Sequence, residues 1–391
     1  MGSYSGDNDI IIIGAGICGL ATALALHRKG IGSVVLERAD SLRASGAAID
    51  IHTNGWRALD QLGVGPTLRE KANRIYVVRH VSLDNGMTRE VLYGNEEYRN
   101  LVRSDLIQAL FDGLPPRTVH FGCHIVQVKT DPVTSQSVLH FDDGSVATAK
   151  ILIGCDGVNS IVAESLKLKP TRSSHTGVLQ GLTNYPNGHG FGNDFILMKK
   201  GHVIVGRNPI GNKLVHWFIF QTRLPEDYGI SGKPEIIREA ALELIKGFPP
   251  EMTELAENSL LDSFTFTKIR YRAPWDLLLG NLHRGTVTVA GDAMHVMGPF
   301  LGQGGAAGLE DAVVLGRCLA KAMQMDRNGD YDGKQLATRV GLALVEYVKE
   351  RRMRVTRLSM QTYLNGLLMA TSSGFTSGLI VFVLKTIWWR T

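Results

Sequence analysis

Residues 9–20 read DIIIIGAGICGL, an apolar run of strand length that leads straight into a glycine-rich turn. The β-branched run is typical of a buried strand, and the Ala- and Leu-rich residues 17–29 predict a helix. Gly14 permits the tight turn, Gly16 lets the backbone approach a pyrophosphate, and Gly19 lets helix and strand pack closely. The pyrophosphate is expected at the helix N-terminus, where free N–H groups and the helix dipole favour negative charge.

A second predicted strand, residues 33–36, ends at Glu37, 18 residues after Gly19. A carboxylate at this point accepts hydrogen bonds from ribose hydroxyls and repels a 2′-phosphate. Glycine-rich corners of this kind also occur without a ligand, but strand, helix, second strand and acid together predict dinucleotide binding. The motif by itself leaves NAD and FAD both open.

Two later segments repeat the combination of a buried strand and a glycine-rich turn. Residues 150–153 lead into GCDG at 154–157, and residues 286–290 lead into GD at 291–292. The second segment continues to GQGG at 302–305, which opens another predicted helix. A carboxylate, a glycine-rich loop and a helix N-terminus form a second place suited to a polar ligand. The three motifs in this order indicate FAD.

With these motifs the chain resembles the single-component flavoprotein hydroxylases, the family of the p-hydroxybenzoate and salicylate hydroxylases. It is most similar to the plant members of the salicylate-hydroxylase-like and zeaxanthin-epoxidase-like type. The resemblance implies an α/β fold, in which a Rossmann-like FAD/NAD(P)-binding domain is interleaved with a mixed-sheet substrate domain and followed by C-terminal helices. The implied segments are 1–75, 100–165 and 280–325 for the FAD-binding domain, 76–99 and 166–279 for the substrate domain, and 326–391 for a helical region with an apolar tail.

The resemblance also implies which residues contact the cofactor. The first two groups below bind the pyrophosphate and the adenosine. In the third group, Arg43 matches an arginine that the family places before a Gly-Ala-x-Ile stretch and Arg103 matches its flavin-contacting arginine. The fourth group contacts both FAD and the nicotinamide donor, and the last binds the ribityl chain and lies beneath the flavin ring. These residues are Gly14, Ala15, Gly16 and Gly19; Glu37 and Arg38; Arg43 and Arg103; Asp156 and Gly157; and Asp292 with Gly302, Gly304 and Gly305. Pro299 is implied to wall the flavin face where oxygen reacts, and no other catalytic residue is assigned. Trp217 and Phe300 are candidates for contacting the substrate.

Several of these positions have a simpler interpretation. Asp292 also suits a helix cap, and Arg43 and Arg103 also suit an exposed surface, where arginine is usually found. Trp217 equally suits an apolar core. His295 follows Gly-Asp-Ala-Met, and we interpret it as a packing and hydrogen-bonding residue because the sequence shows no proton-transfer partner.

Composition indicates a globular enzyme, with 44% apolar and 20% charged residues in 391. The net charge of +5 is mildly basic, and we expect no nucleic-acid partner. A basic cluster at 349–357 includes Arg351, and Leu342, Val345 and Val348 predict the opposite, apolar face of the same helix. We interpret the cluster as a solvated helix face. Four widely spaced cysteines predict reduced thiols in a cytoplasmic protein without a metal site.

The C-terminal tail is apolar, with only Lys385 and Arg390 charged between residues 364 and 391. A helix packed on the protein is the preferred interpretation. The alternatives are peripheral membrane contact, with Trp388 and Trp389 at the headgroup level, and a membrane span. The sequence does not predict the oligomeric state.

The resemblance implies an FAD-dependent monooxygenase that uses NADPH or NADH and O₂. The enzyme would hydroxylate or epoxidise an electron-rich small molecule, aromatic or heteroaromatic, through a flavin C4a-hydroperoxide. A single GxGxxG motif indicates that the nicotinamide donor binds without a second Rossmann fold. Two alternatives stay open: a flavin-dependent reductase or dehydrogenase acting on an isoprenoid-type substrate, and a non-enzymatic escort protein built on the FAD fold.

Overall fold

The computed structural model describes residues 7–42, 48–221, 233–324 and 333–370. These ranges contain eighteen strands and eleven α-helices. The strands are β1 (Asp7–Ile13), β2 (Val34–Leu36), β3 (Ala48–Ile51), β4 (Asn73–Arg74), β5 (Val77–Ser82), β6 (Thr88–Leu92), β7 (Arg99–Val102), β8 (Val119–His120), β9 (Ile125–Thr130), β10 (Ser137–Phe141), β11 (Val146–Gly154), β12 (Arg172–Asn184), β13 (Phe195–Lys200), β14 (Val203–Ile210), β15 (Leu214–Gln221), β16 (Thr265–Tyr271), β17 (His283–Arg284) and β18 (Val287–Val289). The helices are α1 (Ile17–His27), α2 (Thr53–Leu62), α3 (Gly65–Lys71), α4 (Arg103–Asp112), α5 (Ile161–Ser165), α6 (Pro234–Leu244), α7 (Pro250–Glu257), α8 (Pro274–Leu279), α9 (Asp292–His295), α10 (Gly304–Gln324) and α11 (Gly333–Ala370).

The first sheet has eight strands, with the path β17-β18-β11-β1-β2-β8 and the strands β10 and β9 attached beside β11. Strand β1 pairs in parallel with β11 and β2, and β11 pairs in parallel with β18. The strands that precede the three sequence motifs are therefore neighbours. Because they run in parallel, their carboxyl ends bring the motifs to one edge of the sheet, where ligands of open α/β sheets bind.

The core around the first sheet explains why the sequences of its central strands are so apolar. Ile11 and Ile12 are fully buried, and the helix α1 that follows them is buried over most of its length against α10. A parallel strand covered on both faces needs apolar side chains on both, so its sequence does not alternate.

The second sheet has seven strands in the order β16-β12-β15-β14-β13-β5-β6, antiparallel except for the β13–β5 pair. One face packs against α6 and α7. We call the other the inner face, and it carries Phe195, Phe218 and Phe220 and contacts Phe300. The α/β class and the mixed sheet confirm the predicted fold, whereas the domain boundaries stay a prediction.

Helix α11 corrects the prediction of a solvated basic face. Arg351 is only 4% exposed, whereas Leu342 and Val345 are 66% and 47% exposed. The prediction is therefore wrong for Leu342 and Val345, which face outwards, and for Arg351, which turns inwards to two carboxylates on α10. Val348 is buried and Arg354 is exposed, as predicted.

The predicted apolar tail lies mostly in residues 371–391, outside the described residues, so its membrane contact and the cytoplasmic location stay predictions. Among the helices that are described, none combines the length and the apolar character needed to cross a membrane. Within the same ranges, no group of three or more His, Cys, Asp or Glu side chains is placed to hold a metal ion.

Candidate flavin site

The glycines of the first motif have different surroundings. A Cβ built on Gly14, whose φ is +99°, would lie 2.6 Å from the Cys155 carbonyl oxygen, and one on Gly19 would lie 1.9 Å from the Gly14 carbonyl oxygen. Both glycines are therefore required by packing. A Cβ on Gly16 would meet nothing within 4 Å. The open side of the turn lies at Gly16, as close approach of a pyrophosphate requires.

Glu37 is fixed against this turn. Its carboxylate accepts hydrogen bonds from the backbone N–H of Ala15 at 2.7 Å and of Ala39 at 2.8 Å. A carboxylate has further lone pairs, so ribose hydroxyls can still bind to it. Arg38 is exposed next to it, and the predicted Arg43 lies outside the described residues.

The second motif carries a carboxylate oxygen with no partner. Asp156 Oδ2 accepts from the backbone N–H of Ile161 at 2.8 Å, but Asp156 Oδ1 is buried and has no hydrogen-bond partner among the described residues. Burial raises the pKa of this carboxyl group. Buried polar atoms are normally paired, so a lone acceptor here fits a ligand that donates a hydrogen bond. Gly157 next to it has open space at its Cβ position.

The third motif places Asp292 at the start of α9, exposed to the cleft. The N-cap of α9 is Gly291, and no side chain caps this helix, so the structure gives Asp292 no capping role. Arg103 lies across from it: burial lowers the pKa of the Arg103 guanidinium, and the charge of Asp292 opposes that shift. Arg103 Nε is buried without a hydrogen-bond partner in the described part of the chain. Arg103 is therefore not the exposed surface charge of the simpler interpretation.

A buried ion network that the sequence did not reveal holds the third motif in place. Asp311 Oδ2 accepts from the backbone N–H of Gly291 at 2.8 Å and contacts His295 Nε2 at 2.6 Å, while Asp311 Oδ1 accepts from Arg351 Nε at 2.7 Å. Burial alone would raise the pKa of Asp311, but His295 and Arg351 hold it well below its ordinary value. His295 thus has a hydrogen-bond partner, and it is fully buried.

The 302–305 loop lies on strand β3. A Cβ on Gly302, whose φ is +61°, would lie 3.5 Å from His52 Nε2 and 3.8 Å from Asp50 Cβ, and one on Gly305 would lie 2.7 Å from Ile49 Cδ1. A ring nitrogen of His52 is 3.1 Å from the Leu301 carbonyl oxygen. Side chains at these glycines would therefore disturb the contact between loop and strand.

The inner face of the seven-stranded sheet meets this loop. Phe300, directly after the exposed Pro299, packs against Phe220 with ring centroids 5.7 Å apart, and Phe220 packs against Phe218 at 4.9 Å. From the other side, His52 stacks on Tyr98 at 4.3 Å. Aromatic rings thus lie on both sides of the loop.

Trp217 does not lie on the inner face. It is 1% exposed in the cluster beneath α6 and α7, its ring is 5.5 Å from that of Phe264, and its Nε1–H donates to Ser259 Oγ at 2.7 Å. Successive strand residues point to opposite faces, so the neighbours Phe218 and Phe220 face the loop instead. The placement of Trp217 at the substrate is corrected accordingly: it is a core residue.

The sequence also did not reveal two polar residues near the loop, Asp50 on β3 and Asn208 on the inner face of β14. Asp50 accepts a hydrogen bond from Asn208 Nδ2 at 2.8 Å, although the two lie 158 positions apart. Burial raises the pKa of Asp50 to about 7 and lowers that of His52 to about 4. No local motif could have revealed them, because the contact joins β3 to β14.

Comparison with known proteins agrees with the geometry. The family described as FAD binding domain matches residues 7–332. The chain is 47% identical over 366 residues to Monooxygenase 1 of Arabidopsis thaliana, covering 93% of this chain and 91% of that protein. It is 29% identical to 3-hydroxybenzoate 6-hydroxylase of Klebsiella oxytoca, with 80% and 79% covered.

Among solved structures, Klebsiella pneumoniae HpxO complexed with FAD and uric acid superposes with a TM-score of 0.79 at 24% identity, covering 95% of this chain and 91% of that one. At that identity the likeness shows the shared fold. The family match and the plant relatives establish family membership as well, because they extend over most of the chain. The chain therefore belongs to the FAD-binding-domain family of flavin-dependent monooxygenases.

Proposed function

We propose that this monooxygenase consumes NADPH or NADH and inserts one atom of O₂ into an electron-rich aromatic or heteroaromatic small molecule. The observation that carries the proposal is the set of aromatic rings between the 302–305 loop and the inner face of the sheet, where the substrate ring would bind. It lies beside the edge where the three motifs meet, so a ring bound there would be next to a flavin held by those motifs.

The residues for the cofactor follow from the same geometry. Gly16 offers the pyrophosphate open space, and Glu37 offers the ribose a fixed carboxylate. The unpaired Asp156 Oδ1 and Arg103 Nε would find partners in FAD or the nicotinamide donor, and Asp292 would hold the ribityl chain. When bound and reduced, FAD would supply the two electrons that activate O₂, whose second atom leaves as water. The chain's own task is to place the substrate and exclude water, which the buried aromatic side chains suit.

Relatives support a ring substrate. The relative from Klebsiella oxytoca is a 3-hydroxybenzoate 6-hydroxylase, and a relative from Mycolicibacterium vanbaalenii, 27% identical over 319 residues, is an FAD-dependent urate hydroxylase. Both substrates are electron-rich rings. We therefore propose the class that these two substrates share, electron-rich rings, and propose neither compound itself as the substrate.

The test is oxygenation by purified protein loaded with FAD. NADPH and NADH oxidation is followed with a panel of phenols, indoles and purines under ¹⁸O₂, and products are examined by mass spectrometry. We expect a panel member to accelerate donor oxidation and to gain one ¹⁸O atom. Donor oxidation coupled to reduction of an added substrate, with no ¹⁸O incorporated, would instead support the reductase alternative. Protein that cannot be loaded with FAD would contradict both.

A further inference from the structure

Asp50 lies where the 302–305 loop meets the seven-stranded sheet. A Cβ on Gly302 would be 3.8 Å from Asp50 Cβ, and Asn208 Nδ2 on β14 is 2.8 Å from Asp50 Oδ1. The next residue in β3, Ile51, is fully buried, whereas Asp50 keeps part of its surface accessible. The carboxyl group is therefore half-buried and lies beside the aromatic rings at the loop.

This carboxyl group lacks a charge partner. Within the described ranges it has no ion pair, and its polar neighbours are Asn208 and the Tyr98 hydroxyl. A carboxylate held between two domains without a cation is costly, so its presence indicates function more than stability.

Asn208 adds a second free acceptor. The residue is fully buried, and its Oδ1 has no hydrogen-bond partner among the described residues. The donation from Nδ2 to Asp50 fixes which amide atom is which, so the oxygen is the atom left over. Two acceptors with unused capacity thus lie side by side, and they match a ligand that donates hydrogen bonds.

The surroundings do not suit an anionic ligand. On the inner face next to Asn208, strand β15 presents His216, whose pKa is lowered to about 4 by burial and which is therefore neutral at pH 7. Lys199 pairs with Ile204 in the sheet, four positions from Asn208, or roughly 13 Å along the strand at about 3.3 Å per residue. Arg103 acts on Asp292 at the proposed flavin site.

We propose that Asp50, oriented by Asn208, recognises the substrate of this monooxygenase through an O–H or N–H donor on its ring, and that the substrate is a phenol or ring N–H compound and not an aromatic carboxylate. The inference rests on the proposed function, because it assumes that the substrate ring occupies the space beside the 302–305 loop. It narrows that function: a carboxylate on the ring would face the oxygens of Asp50 and Asn208 without a cation among the described neighbours, and it would be repelled once Asp50 is ionised.

The experiment measures ligand binding to FAD-loaded protein through the change in flavin absorbance. The probes are 4-methylphenol, its methyl ether 4-methylanisole, and 4-methylbenzoate, which share size and differ in donor and charge. At pH 8, above the Asp50 pKa of about 7, we expect wild type to bind the phenol at least about tenfold more tightly than the ether, as a hydrogen bond to a charged group implies, and the benzoate most weakly. D50N should reduce that phenol preference severalfold and strengthen benzoate binding.

N208A gives a second variant should D50N fold poorly, and a smaller loss of phenol preference is expected from it. D142N, an exposed aspartate on the β10–β11 turn, is the matched control and should bind all three probes like wild type. The proposal is overturned if wild type binds the benzoate as tightly as the phenol, if it binds none of the probes, or if D50N and N208A both leave the preference unchanged. FAD content and donor oxidation without probe, measured on the same samples, show separately whether the proposed function holds.

Discussion

Gly16 and Gly32 provide a matched pair at the scale of single residues. A Cβ at either position would meet no protein atom within 4 Å, and neither has a left-handed φ. Protein packing therefore tolerates a side chain at both, while only Gly16 is expected to face the pyrophosphate. We expect Gly16→Val to fold and to weaken FAD binding by about a hundredfold or more, and Gly32→Val to bind FAD normally. Titration of apoprotein with FAD measures this, and equal affinities would show that the pyrophosphate binds elsewhere.

The stability of the apoprotein should depend on pH through Asp50. Its pKa is raised from 3.8 to about 7 by burial, so the folded state holds a proton that the unfolded state releases. The free energy of unfolding that this proton contributes is lost as pH rises from about 4 through about 7. D50N does not titrate, so its stability relative to wild type should increase over this window, by an amount on the order of 1–3 kcal/mol after allowing for partial solvent access.

Urea unfolding of both proteins without FAD, at pH 5 and pH 8, measures this difference. His52, His216 and Tyr98 also lie near Asp50, but they are present in both proteins and cancel to first order. A difference between D50N and wild type that is the same at both pH values would mean that Asp50 is ionised throughout. If Asp50 serves substrate binding at a cost in stability, D50N should be more stable than wild type and less selective for the phenol.

At the scale of elements, Arg351 fastens helix α11 to α10 and to the Gly291 turn. Its side chain is 5% exposed and pairs with Glu310 and Asp311, whereas Arg354, one turn further along α11, is 47% exposed and pairs with Glu310 alone. Removing one partner of a buried pair leaves an uncompensated charge. We expect Arg351→Met to lower the free energy of unfolding by about 3–5 kcal/mol and Arg354→Met by less than about 1 kcal/mol.

Denaturant unfolding of the two variants checks this comparison, and FAD affinity gives a second measurement. Asp311 also accepts from the Gly291 N–H, so losing Arg351 should weaken FAD binding along with stability. Similar losses from both substitutions would show that the network around Asp311 is solvated.

The elements also show what the sequence could predict. Strands β1, β11 and β18 and their turns were predicted because each is a local pattern, an apolar run followed by glycine. The Asp50–Asn208 and Asp311–Arg351 contacts join residues 158 and 40 positions apart, so no local pattern contains them. The sequence correctly predicted that Trp217 lies on a strand. It did not show which face of that strand the side chain occupies, so Trp217 was wrongly placed beside the substrate.

At the scale of the whole molecule, the seven-stranded sheet is joined to the rest of the fold by polar contacts as well as by apolar packing. Arg272, at the end of β16 and 3% exposed, donates to the carbonyl oxygens of Met294 at 2.9 Å and Ala293 at 3.2 Å, in the third motif. Asn73 Nδ2, on β4 of a third sheet with the order β3-β7-β4, donates to the Pro209 carbonyl oxygen on β14 at 3.0 Å. Because the chain also passes repeatedly between the eight-stranded and seven-stranded sheets, neither can unfold without breaking contacts of the other.

We therefore expect the two sheets to unfold in one transition that FAD shifts as a unit. Trp56, fully buried in the first domain, and Trp217, in the second sheet, report on the two parts. Their fluorescence, isolated in two variants that keep only Trp56 or only Trp217 and carry Phe at the other four tryptophan positions, should give coincident urea midpoints. FAD at about a hundred times its Kd should add about 2.7 kcal/mol to both. Separate midpoints, with FAD moving only the Trp56 signal, would instead mean that the seven-stranded sheet unfolds independently. The contacts of Arg272 and Asn73 would then not couple the stability of that sheet to FAD binding.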